Sequence, residues 1–139
     1  MSARYIFHEV VKIALQKDGW RITDDPLSLS VGGVSVSIDL GAERLIAAER
    51  EGEKIAVEVK SFLERTSAVS QFHIALGQFI NYRGVLSRKE PDRVLYLAVP
   101  LTTYKTFFQL DFPKEMVSEN RVKMIVYDVQ REAIDRWIN

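Results

Sequence analysis

Apolar positions recur along this chain with two different periods, and the switches between them divide it into elements. Ile6, Val10, Ile13, Ala14 and Lys17 follow helical spacing, with Ser2 placed as an N-cap and Gly19 as a C-terminal stop, which predicts a helix over 3–18. Trp20-Arg21-Ile22-Thr23 reads as a short extended piece, and Asp24-Asp25-Pro26 closes it as a turn. A period of two then takes over. Val34-Ser35-Val36-Ser37-Ile38-Asp39 lies in a strand predicted over 33–40, followed by strands over 44–50 and 54–60. Gly41-Ala42 and Glu51-Gly52-Glu53 separate them and are short enough for antiparallel hairpins. In the last strand Ile55, Val57 and Val59 point to one face, while Glu58 and Lys60 share the other.

Helical spacing returns with Phe72, Ala75, Leu76, Phe79, Ile80 and Arg83, predicting a helix over 69–87. Gly77 interrupts it at about 1 kcal/mol relative to alanine, which close approach to the sheet would explain. Arg93 to Pro100 is a nearly continuous apolar run, the pattern of a strand covered on both faces and reached by a crossover. After Pro100, Thr102 or Thr103 is placed to cap a helix within 101–110 that carries Tyr104, Phe107 and Phe108 inward. A strand is predicted over 122–127, and Glu132 to Ile138 closes the chain as a strand or short helix. The order αβββαβαβ defines an α/β sandwich with a central mixed sheet flanked by helices.

At 139 residues and 47% hydrophobic, the chain fits one globular domain over 1–139. The absence of cysteine excludes disulfides and cysteine-based zinc sites. The opening residues lack a signal-peptide pattern and no apolar run approaches the roughly 20 residues of a membrane span, so a soluble, cytoplasmic protein is expected. Nineteen basic and nineteen acidic residues cancel, which argues against coating nucleic acid by charge alone. Arg83, Arg88, Lys89 and Arg93 remain a local group able to hold a backbone phosphate. Asp39 with Glu58 and Lys60, projecting from neighbouring strands, forms a candidate divalent-metal site for phosphodiester chemistry. Glu49 competes with Asp39 as the first acid, and His8 and His73 have no partner at metal-ligand spacing.

An Asp ending one strand, Glu-x-Lys in a later one and a helix directly afterwards resemble the PD-(D/E)xK nuclease superfamily, whose common core is the restriction-endonuclease-like αβββαβ order. That resemblance implies Asp39 as the first acid, Glu58 and Lys60 as the Glu-x-Lys pair, and Gln78 with Tyr82 as the Gln-x-x-x-Tyr pattern of some members. Glu9 is similar to an acid that resolvase-like members add from the first helix, and Ile38 stands where the superfamily has proline. Over essentially its whole length the chain also resembles the XisH family. The residues that carry this are Met-Ser-Ala-Arg at the start, Ile38-Asp39-Leu40-Gly41-Ala42-Glu43, Ala56-Val57-Glu58-Val59-Lys60-Ser61-Phe62, Ala75-Leu76-Gly77-Gln78-Phe79 and Leu95-Tyr96-Leu97-Ala98-Val99-Pro100. That family is named for controlling excision of the fdxN element, a DNA segment removed from cyanobacterial chromosomes during heterocyst differentiation. The resemblance implies DNA as a partner, a role beside a site-specific recombinase, and a companion protein of the XisI family.

Under this reading Asp39, Glu58 and the backbone carbonyl of Val59 hold one Mg²⁺ or Mn²⁺ ion with several waters kept in place. Lys60 orients the attacking water or offsets developing charge, and Gln78 positions the same water. Without the ion the two acids repel each other and titrate above their ordinary range. Cutting both strands of a duplex would call for two such sites, hence a homodimer. The expectation is a Mg²⁺-dependent endonuclease or resolvase-like enzyme. Its alternative is a non-catalytic accessory protein that uses the same scaffold to bind a partner protein or DNA.

Overall fold

In the computed structural model, which describes residues 3–44, 52–63 and 67–139, the chain begins with helix α1 (Ala3–Lys17). Phe7, Val10, Val11, Ala14 and Leu15 form its buried stripe, one position away from Ile6, which stays exposed. Gly19 ends the helix at φ +89°. There the Trp20 amide donates to the Leu15 carbonyl at 3.0 Å and the Gly19 amide to that of Gln16 at 3.1 Å, the Schellman closure. Ser2 lies outside the described residues.

Strands β1 (Arg21–Asp24), β2 (Leu27–Val31), β3 (Val34–Ile38), β4 (Leu40–Arg44) and β5 (Glu53–Val59) follow. Helix α2 (Ala68–Lys89) then leads to β6 (Arg93–Pro100). Next come α3 (Leu101–Lys105), a 3₁₀ turn (Phe107–Gln109), α4 (Asp111–Glu119), β7 (Met124–Asp128) and β8 (Ala133–Ile138). The main sheet has the order β1-β4-β5-β6-β7-β8, and β2 pairs only with β3. The β5–β6 and β6–β7 pairs are parallel and the others antiparallel, so the sheet is mixed. The main-sheet path α1-β1-β4-β5-α2-β6 is therefore αβββαβ, with the β2–β3 hairpin inserted after its first strand.

Several predicted boundaries move, each for a local reason. The strand expected over 33–40 breaks at Asp39, because Ile38 packs beneath α2 whereas Leu40 packs beneath α1. The expected turn at Gly41-Ala42 is instead inside β4, where Gly41 lets other side chains cross the strand. A Cβ there would lie 2.7 Å from Asp24 Oδ2 and 3.1 Å from Arg93 Nη1. The strand expected over 44–50 is β4, shifted to 40–44; residues 45–51, Glu49 among them, lie outside the described residues. The hairpin not foreseen turns through Gly32 and Gly33 at φ +57° and +83°, the left-handed pair that a two-residue hairpin requires.

Ile55, Val57 and Val59 join Leu40, Ala42, Tyr96, Ala98, Ile125 and Tyr127 under α1. Ala56, Leu95, Leu97, Val99, Met124 and Val126 face α2, with Phe72, Ala75 and Phe79 packed on them. Ser67 caps α2, its hydroxyl accepting from the Ser70 amide. Gly77 does not approach the sheet: it is exposed, and a Cβ there would meet nothing within 4 Å. Gly77→Ala is thus expected to stabilise the protein by about 1 kcal/mol, since alanine is the better helix former and restricts the unfolded chain. A raised urea midpoint at unchanged slope would show it; a lowered midpoint would mean that the glycine backbone is needed.

Thr102 and Thr103 do not cap α3, which starts at Leu101 directly after Pro100 and has no side-chain cap. Phe108 is buried under α2 and Tyr104 and Phe107 pack partly against the same core, as expected of that segment. Helix α4 was not foreseen, and Glu132 to Ile138 resolves as strand β8.

Candidate active site

The alternation of β5 sends Glu58 and Lys60 to the α2 face, where Glu58 is only 4% exposed. Leu40 pairs with Val57 across the antiparallel β4–β5 ladder, so Asp39, one residue earlier, arrives beside Glu58. The two residues clasp each other. The Asp39 amide donates to Glu58 Oε1 at 3.3 Å, and the Val59 amide donates to Asp39 Oδ2 at 2.8 Å. Lys60 Nζ lies 3.5 Å from Glu58 Oε2.

The end of β5 is fixed from two sides. The Lys60 amide donates to the Ala98 carbonyl at 3.0 Å, and the buried Tyr127 hydroxyl donates to the Lys60 carbonyl at 2.8 Å. Burial holds the Tyr127 phenol above its ordinary pKa, so it remains a donor. Burial, and then the adjacent Asp39 carboxylate, push the Glu58 carboxyl up from 4.5 to about 7, against the downward pull of Lys60. A buried carboxyl beside a second carboxylate is thus short of positive charge.

Gln78 enters from α2. Together with Val59, Lys60, Ser61, Gln71 and Ile74 it lines a cleft of about 240 Å³, and its Oε1 is buried with no hydrogen-bond partner among the described residues. An acceptor left this way is costly unless a water or ligand group fills the cleft. Phe62, also on the cleft, takes a left-handed backbone at φ +56° and packs edge-on against Phe108 at 5.5 Å. Gln71 and Ile74 precede Gln78 at i, i+3 and i+7 on one helix face. That spacing could have been read from the sequence, whereas the turn at Phe62 carries no such signal.

The remaining candidates lie apart from this group. Glu9 is on α1, which covers the opposite face of the sheet, and sits 3.8 Å from Lys12. Tyr82 packs half-buried against the α2-side core and does not line the cleft. His8 is 2.7 Å from Asp25, which also pairs with Lys12 at 2.8 Å. Among the described residues no three His, Cys, Asp or Glu side chains converge. An ion at the Asp39–Glu58 pair would therefore rely on two carboxylates, a carbonyl and waters, a donor set that suits Mg²⁺ or Mn²⁺. Of the arginines expected to hold phosphate, Arg93 is buried and donates to the Ile55 carbonyl, and Arg88 donates to that of Gly84.

The fold is the restriction-endonuclease-like α/β sandwich, with an aspartate, a buried glutamate and a lysine where its central strands end. Residues 1–135 match the family model described as XisH protein, and the chain belongs to the XisH family. Two crystal structures resemble it over nearly its full length. An XisH family protein from Nostoc punctiforme PCC 73102 is 71% identical, with 96% of this chain and 99% of that one covered and a TM-score of 0.89. A fdxN element excision controlling factor protein from Anabaena variabilis is 69% identical, with 98% and 100% covered and a TM-score of 0.89. No curated protein matches the sequence. No described helix is long and apolar enough to cross a membrane.

Proposed function

We propose that this protein is a divalent-metal-dependent DNA endonuclease that supports excision of a chromosomal element by a site-specific recombinase. The observation that carries the reading is Glu58, a buried carboxyl pushed up to about 7 beside Asp39 and within 3.5 Å of Lys60. Glu58, Asp39 and the Val59 carbonyl would hold Mg²⁺ or Mn²⁺. When bound, such an ion supplies Lewis acidity toward a phosphate oxygen and a water of lowered pKa. Lys60 is placed to neutralise charge that builds on the phosphate. Gln78 offers its unpartnered Oε1 to the proton of an attacking water. The Tyr127 and Ala98 contacts keep the Lys60 backbone in position during these events. The name of the Anabaena variabilis relative supports the link to fdxN element excision. A recombinase and an XisI-type companion are the partners this reading calls for, and duplex cleavage would pair two copies of the chain.

One observation favours a non-catalytic accessory protein instead: Asp39 and Glu58 already satisfy one another through backbone amides and Lys60. Two measurements separate the readings. Purified protein with Mg²⁺ or Mn²⁺ is expected to cut duplex, branched or single-stranded DNA, and Lys60→Ala to slow cutting roughly 10²–10³-fold. Calorimetric titration with Mn²⁺ is expected to show one site that Glu58→Gln removes. DNA left intact under all these conditions, with no Mn²⁺ heat, would leave the accessory role standing.

A further inference from the structure

A second and larger concavity lies on the same face of the sheet as Glu58 but toward the C-terminal end of α2. It has a volume of about 830 Å³ and is bounded by α2, α4 and strands β6 to β8. Small-molecule sites fall in roughly this range, from about 300 to 1,000 Å³. Leu86, Leu95, Tyr104, Phe108 and Val117 supply apolar walls, with the hydroxyls of Ser87 and Ser118 among them.

The charged lining is one-sided. Arg83, Arg93, Lys114, Arg121 and Lys123 border the cavity beside the terminal Asn139, and among the described residues no aspartate or glutamate side chain does. Arg93 is engaged inside the protein by Glu90 at 3.0 Å. Arg83 is held at the wall by the carbonyls of Asn120 at 2.7 Å and Arg121 at 3.2 Å. Lys114, Arg121 and Lys123 have no ion pair among the described residues. On a chain whose charges cancel, cations that outnumber the acids at one cavity repel one another and attract an anion.

The backbone supplies a second, independent observation. Helix α4 ends as α1 does, with the Val122 amide donating to the Val117 carbonyl at 3.0 Å and the Arg121 amide to that of Ser118 at 3.1 Å. In α1 the left-handed position of this closure is Gly19; in α4 it is Arg121, at φ +52°. A side chain there strains the backbone, and glycine would relieve it. Phe62 and Glu132 also take this region, and of the three Arg121 is the one that borders this cavity.

We propose that this cavity binds a mononucleotide. Its base would lie against the half-buried Tyr104 and Val117, and its phosphate would be held by Lys114, Arg121 and Lys123 with Arg83 behind. Arginine binds phosphate through two parallel N–H donors, and the serine hydroxyls suit the polar edge of a base. Cations that share one cavity fit a single compact anion better than the spaced phosphates of a nucleic-acid backbone.

The test is calorimetric titration of the full chain at low salt with AMP, adenosine and inorganic phosphate, run apart from any cleavage assay. AMP is expected to bind at least tenfold tighter than adenosine or phosphate. Arg121→Gly is expected to weaken AMP at least tenfold while raising the melting temperature by roughly 3–5 °C. Lys123→Gln should weaken AMP similarly, and Lys60→Ala should leave its affinity unchanged. The proposal is overturned if AMP does not bind, or binds no tighter than phosphate alone. It is overturned equally if AMP is indifferent to both cation variants, is lost in Lys60→Ala, or is outcompeted at equal concentration by an acidic peptide.

Discussion

Glu58→Gln is expected to stabilise the protein by roughly 3 kcal/mol above pH 7 while slowing the proposed metal-dependent cleavage by about 10³-fold or more. The stability gain comes from the proton balance. Glu58 keeps its proton to about pH 7 in the native protein but only to its ordinary 4.5 once unfolded. Between those values the native state binds more protons than the unfolded chain, so the parent loses stability as pH rises. Glutamine has no proton to lose and escapes that decline. Urea unfolding at pH 5 and pH 8 measures both slopes, and parallel curves for parent and variant would refute the buried-carboxylate account. Saturating Mn²⁺ should restore the parent at pH 8 through binding to the native state, and should do nothing for the variant.

Phe72→Ala is expected to destabilise the protein by about 3–5 kcal/mol. Phe72 is 1% exposed and packs edge-on against Phe107 at 5.6 Å and Phe108 at 5.7 Å. Phe108 in turn meets Phe62, whose left-handed turn borders the cleft at Lys60. Truncation therefore opens a cavity between α2 and the 3₁₀ turn and loosens the support of Phe62. Small domains are stable by about 5–15 kcal/mol, so a large share of the total is at stake. A urea midpoint lowered by less than the equivalent of about 1 kcal/mol would mean that the aromatic group collapses to fill the space.

Glu58 and Lys60 were legible because strand alternation is a local property: with Ile55, Val57 and Val59 committed to the core, the intervening side chains must share the other face. Gln78 was reached through the resemblance to the Gln-x-x-x-Tyr pattern, since helical spacing alone places Tyr82 on the same face and Tyr82 does not line the cleft. Asp39 was legible as a strand-end acid, but not the reason it meets Glu58. That depends on the chain passing from the β2–β3 hairpin into the main sheet at that residue, and on the Leu40–Val57 register. The segments 27–31 and 34–38 both alternate around Gly32-Gly33, a hairpin signal that was present in the sequence. Alternation could not say that this hairpin stands outside the main sheet, or that Arg21 to Asp24 is the main sheet's first strand.

Periodicity by itself determined the sandwich, the faces of β5 and α2, and the side chains that share the face of Glu58, because these follow from bonds and side chains a few positions apart. Only the tertiary structure decided which strands are neighbours, how deeply Glu58 is buried, and that Tyr127 pins Lys60 from 67 residues away. It also decided that Arg83, Lys114, Arg121 and Lys123 border one cavity. Those relations join residues far apart in the chain, and the energies that set them, desolvation and long-range charge, exist only once the core has closed.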